Sequence, residues 1–99
     1  MVVSKNVEKI LMDLTGEPQA EAALHMAMGD ILAHRLEIIQ EGLKRFEKKY
    51  AMPFADFKSA WEEDKASSKY SYDAEKDYWE WEGLTSRKRK LQELSKWLS

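Results

Sequence analysis

Residues 18–50, PQAEAALHMAMGDILAHRLEIIQEGLKRFEKKY, decide the fold. After Pro18, which suits a first helical turn, the segment contains no proline and is rich in Ala, Leu, Glu and Lys, side chains that lose little freedom in a helix. It predicts one long helix. Its apolar residues settle into a 3,4 alternation through Leu32, Leu36, Ile39, Leu43, Phe46 and Tyr50, flanked by Leu24, Met28, Ile31 and Ile38, the spacing of helices that pack on helices. A helix of this length reaches roughly 50 Å, beyond the diameter of about 30 Å of a small domain. Either it breaks, at Gly29 or Gly42, or another chain covers the overhang. Each glycine costs about 1 kcal/mol relative to alanine, which a helix with so much apolar surface can absorb. The other use of such glycines is close approach by a partner helix. The reading is a homo-oligomer, dimeric or higher, joined along Leu32, Leu36, Ile39, Leu43 and Phe46.

Toward the N-terminus, Ser4 caps a helix over residues 5–15 that carries Val7, Ile10, Leu11 and Leu14 at helical spacing, with Gly16 just past its end. Toward the C-terminus, Pro53 cannot continue the long helix and moves Met52 away from helical angles. Phe54, Phe57 and Trp61 then mark one face of a short helix. Residues 65–72, KASSKYSY, are polar and lack periodicity, so they read as a loop. Asp73 opens a last helix to about residue 98, with Asp73, Glu75 and Asp77 early and Arg87 to Lys90 later, an order that complements the helix dipole. The expected fold is all-α: four helices in a single domain, elongated and oligomeric. Residues 1–50 form its oligomerisation core, 51–72 a short helix and loop, and 73–99 a partner-binding helix.

Composition narrows the function. A formal net charge of -2 offers no global attraction to nucleic acid, and the absence of cysteine excludes disulfides and thiolate chemistry. No apolar run is long enough for a membrane span. The start, MVVSKNVEK, lacks the basic-then-apolar order of a secretory signal, so the cytoplasm is the expected compartment.

Every Phe, Tyr and Trp lies between Phe46 and Trp97; the first 45 positions hold only aliphatic side chains and methionine for a core. Within DYWEWEGL, residues 77–84, Trp79 and Trp81 fall roughly 160° apart about a helix axis, so both cannot face one neighbour. Trp81, Leu84, Leu91, Leu94 and Leu98 share a face, Trp79 and Trp97 share its edge, Tyr78 points elsewhere, and Arg87 with Lys88 interrupt the leucines. Two readings fit. In one, Trp81 is core, Trp79 lies on a shoulder, and Arg87 and Lys88 extend their stems to water. In the other, the helix docks on a protein partner through Tyr78, Trp79, Trp81, Arg87 and Lys88.

Catalysis finds no motif: the glycines form no phosphate loop and no serine sits in a nucleophile signature. His25 rides the apolar stripe and reads as a core histidine; His34 lies on another face. Asp30, His34, Glu37 and Glu41 share one helix face, where a symmetry mate could complete a metal site. That face continues into Lys44 and Lys48, as a solvated face does, and no cofactor is expected. SRKRK, residues 86–90, is a short basic run flanked by acids.

Ile10 to Leu32, ILMDLTGEPQAEAALHMAMGDIL, resembles the helical portion of ribbon-helix-helix antitoxins, through Leu14-Thr15-Gly16, Glu21-Ala22-Ala23 and Ala27. FEKKYAMPFADF, residues 46–57, and DYWEWEGL are similar to stretches of short archaeal and bacterial antitoxin-like proteins. The resemblance implies a dimerising helical core and a C-terminal segment that wraps a toxin-like partner. That family reads DNA with a strand ahead of the first helix. Here only Met1, Val2 and Val3 precede Ser4, too few and too apolar for a base-reading ribbon. The expected function is therefore non-catalytic, antitoxin-like binding of a partner protein through the C-terminal aromatic helix. A self-assembling helical scaffold and a metal-binding oligomer are the alternatives.

Overall fold

The structure, a computed structural model, describes residues 4–64 and 72–98. Among them the chain forms four α-helices and no strand: α1 (Lys5–Thr15), α2 (Ala20–Tyr50), α3 (Phe54–Asp64) and α4 (Tyr72–Leu98). The predicted loop over residues 65–72 lies almost wholly outside the described residues, as do Met1 to Val3.

Local chemistry sets the helix ends. The Ser4 hydroxyl accepts the Val7 N–H at 3.2 Å, so one of the unpaired donors of the first turn of α1 is satisfied. Gly16 ends α1 at φ 75°, donating its N–H to the Met12 carbonyl at 2.8 Å. Thr15 tightens the same turn: its hydroxyl donates to the Leu11 carbonyl and accepts the Glu17 N–H. α2 begins two residues later than expected, at Ala20, because Gln19 holds extended angles. It ends where Ala51 takes the left-handed conformation at φ 55°, two residues ahead of Pro53.

α2 runs unbroken through both glycines. It lies antiparallel to α4 in one continuous register: Tyr50 meets Asp77, Phe46 stacks on Trp81, Gly42 meets Leu84, Gln40 meets Lys88 and His25 meets Leu98. Gly42 is what permits the approach, since a Cβ there would stand 2.8 Å from Leu84 Cδ1. At Gly29 a Cβ would meet nothing within 4 Å, so close packing inside the chain does not explain that glycine.

α3 and α1 attach to opposite ends of this helix pair. α3 covers the end formed by the C-terminal half of α2 and the start of α4, and Phe57, Tyr78, Trp81, Ile39, Leu43 and Leu91 make the buried core. The four-residue connection after α1 folds it back along the start of α2, where Ala20, Ala23 and Ala27 recur at helical spacing and Ala23 is fully buried. No residue of α1 is itself buried. The molecule measures 60 × 23 × 22 Å with a radius of gyration of 19.4 Å, against about 13 Å for a compact globule of this length.

The expected oligomerisation seam is therefore corrected. Ile39 and Leu43 are buried inside the chain, and Leu32, Leu36 and Phe46 pack against the same core, because α4 occupies the groove assigned to a second copy.

Replacing Gly29 by alanine is expected to stabilise the fold by about 1 kcal/mol through helix propensity alone. Gly42→Ala should gain less, because the new methyl must displace the Leu84 side chain. Urea unfolding of both variants checks this; equal gains would mean that Leu84 does not limit the approach of α4 to α2.

Candidate functional site

The aromatic end accounts for most of the side chains that the sequence offers as contacts. Trp81 is fully buried, with ring centroids of Phe57, Phe54, Phe46 and Tyr50 5.1–5.8 Å from its own. Offset and tilted ring pairs at such distances contribute beyond their buried area. Among the described residues its indole N–H finds no hydrogen-bond partner, a cost set against this packing. Tyr78, placed apart from the core by sequence, is 5% exposed and stacks on Trp61 at 5.0 Å. Both residues are thus corrected from partner contacts to core: α3 supplies the surface that they touch. The sequence reading missed this because the periodicity of one helix does not show which neighbour covers each of its faces. The apolar face of α3, Phe54, Phe57 and Trp61, was the available signal for a third helix at that end.

Trp79, on the other side of α4, is 59% exposed and touches Tyr78 only edge to face, at 5.1 Å. Lys88 is half-buried and donates to the Gln40 side-chain oxygen at 3.0 Å, so its ammonium bridges the two long helices. Arg87 is exposed. Of the five proposed contacts, then, Trp79 and Arg87 remain available to another molecule.

The polar contact that closes this end is Asp77. Its carboxylate accepts from the Tyr50 hydroxyl at 2.6 Å and from the Lys49 ammonium at 2.5 Å. Burial pushes the Asp77 carboxyl up, but the bonds from Lys49 and Tyr50 together outweigh it and hold the group below its ordinary 3.8. Burial, followed by the hydrogen bond to Asp77 and nearby negative charge, pushes the Tyr50 phenol far up. Burial also raises Tyr78, helped by Glu82 and Glu62.

The opposite end is open. A groove of about 380 Å³ runs between α2 and the last turns of α4, floored by Met28, Ile31, Leu32, Leu91, Leu94 and Trp97 and edged by Arg35 and Arg87. Ile31 is 60% and Trp97 87% exposed. α1, at this same end, turns Val7, Ile10 and Leu14 outward, with Leu14 78% exposed. This is the surface that the sequence reading passed over: Ile31, Met28 and the α1 stripe were noted there as packing residues without an assigned role in binding.

The remaining candidates do not converge. Asp30, His34, Glu37 and Glu41 are all exposed on one face of α2. Among the described residues no group of three or more His, Asp or Glu is placed to hold a metal. His25 is exposed rather than core, its ring nitrogen against the carbonyl of Leu98, because α4 crosses the start of α2 at its last turn. No helix among the described residues is long and apolar enough to cross a membrane. No protein family, curated protein or solved structure matches the chain.

Trp81→Ala is expected to cost about 3–5 kcal/mol, the range for emptying a large aromatic site, and Trp79→Ala less than about 1 kcal/mol. Chemical denaturation of the two variants measures both. Because the Asp77 carboxyl is held low in the folded state, its contribution is present above pH 3.8 and is lost as pH falls through its folded pKa. Asp77→Asn should therefore lose about 1 kcal/mol at pH 7, and the gap to the parent protein should close as the pH is lowered toward 2, followed by unfolding at stepped pH.

Proposed function

We propose that this chain is a non-catalytic protein-binding module that works by burying its open end against another protein surface. One observation carries the reading: the two ends of the same helix pair are finished differently. α3 seals the aromatic end, while the groove floored by Ile31, Leu94 and Trp97 and the α1 stripe face solvent together. Monomeric soluble proteins rarely present apolar side chains so concentrated unless something binds there. Tryptophan rimmed by arginine is also the composition of energetic centres in protein interfaces.

The non-catalytic part rests on where perturbed acid–base groups lie. Among the described residues, those with shifted acid strength are Tyr50, Asp77 and Tyr78, and all three sit where α2, α3 and α4 pack together. Their shifts come from that packing. The resemblance to antitoxins supplies a use for such a module: a C-terminal helix that occupies and neutralises a toxin-like partner. In this structure the parts of α4 free to do so are Trp79, Arg87, Leu94 and Trp97, in place of the buried Tyr78 and Trp81.

The test is capture on the immobilised full-length chain, scoring untagged copies of the chain and host proteins by mass spectrometry. The Ile31→Glu, Leu94→Glu double variant is expected to lose its bound protein while keeping the parent far-ultraviolet circular dichroism. A variant that binds as well as the parent would remove the open end as the functional surface.

A further inference from the structure

The shape and charge of the open end point to a particular occupant. The groove between α2 and α4 is bounded by two helices in the way that the aromatic end is before α3 is added. What it lacks is one amphipathic helix of two to three turns. The chain carries one with its apolar stripe unused: α1 presents Val7, Ile10 and Leu14 at i, i+3 and i+7, and all three are exposed. α1 cannot fill its own groove, because the four-residue connection from Gly16 to Gln19 ties it to the start of α2, along which it packs.

From this we infer that the occupant is a second copy of the chain, with α1 of each copy laid into the groove between α2 and α4 of the other. This rests on the protein-binding reading above and names its partner. Two observations support it. The first is area. The α1 stripe and the groove residues Met28, Ile31, Leu94 and Trp97 together expose on the order of 800 Å², about what each side of a stable interface buries. The second is charge. Arg35 and Arg87 edge the groove, and Asp13, one turn beyond Lys9, is the charged residue of α1 nearest in helical angle to its exposed stripe, while Lys5 lies on the far side of that helix. Exchange of this kind is isologous: the same two patches meet twice about a two-fold axis, which closes the assembly at two copies. Trp79, at the sealed end of the molecule, is left out of the interface and stays free for a different partner.

Sedimentation equilibrium of the full chain tests the inference. The parent should be a dimer at micromolar concentration. Leu14→Glu should weaken the dimer at least about tenfold, because it places an unpaired charge in a desolvated apolar contact. At 78% exposure within one chain, this substitution leaves the monomer fold intact, which circular dichroism verifies. Asp13→Arg and the Arg35→Glu, Arg87→Glu pair should each weaken association, and combining all three in one chain should restore it. A monomeric parent, or a dimer indifferent to Leu14→Glu, overturns the inference. If such a monomer still captures a different protein in a manner lost in the Ile31→Glu, Leu94→Glu variant, only the identity of the occupant is wrong. If it captures nothing, the protein-binding reading falls with it.

Discussion

Phe46 stacked on Trp81, Gly42 against Leu84 and Tyr50 bonded to Asp77 hold α2 and α4 in a single antiparallel register, and the other features of the molecule are consequences of that pairing. Gly42 brings the helices close enough for ring stacking, and the stacking commits Trp81 to the inside. Because Trp79 lies nearly opposite Trp81 on the helix, it is thereby committed to the outside. Asp77 and Lys88, at two points along the pair, add polar contacts that a slipped register would leave unmade. Apolar packing supplies most of the adhesion; these bonds specify which residues face one another.

The same pairing explains why the ends differ. Two helices side by side bury one stripe each and leave a groove on either flank, so a third element is needed wherever a flank is to be dry. At the aromatic end α3 provides it, and large rings from three helices fill the volume with few side chains. At the other end the third element is present but turned away. α1 lies along the start of α2 with Leu11 and Met12 partly buried, while Val7, Ile10 and Leu14 face out. The result is a fold whose adhesion is concentrated near Trp81 and fades toward Trp97.

Much of this was legible in the chain. The cap at Ser4, the stop at Gly16, the break at Pro53 and the periodicity of residues 18–50 are local signals, and local signals place helix ends well. The pairing of α2 with α4 was harder to see. A leucine seam states that a neighbour exists without stating whether it comes from the same chain, and here α4 was the neighbour. The burial of Tyr78 had the same origin: its side of α4 is core only because α3 folds back over it, a tertiary contact that periodicity within one helix cannot reveal. His25 shows the limit in reverse. It shares a face with Leu32 and Leu36, but α4 covers that face only up to its own final turn, and the helix continues past its cover.

Surface area gives the open end its weight. A compact monomer of 11.6 kDa is expected to expose about 5,800 Å². This chain exposes 7767 Å². An elongated shape accounts for some of the excess, but shape alone does not choose which side chains bear it. Among the described residues the exposed surface includes Leu14, Ile31 and Trp97, side chains whose exposure works against the stability of a fold with so small a core. α1 is tied to the start of α2 by the four residues from Gly16 to Gln19, and in the orientation it takes there Val7, Ile10 and Leu14 stay exposed at the same end of the molecule.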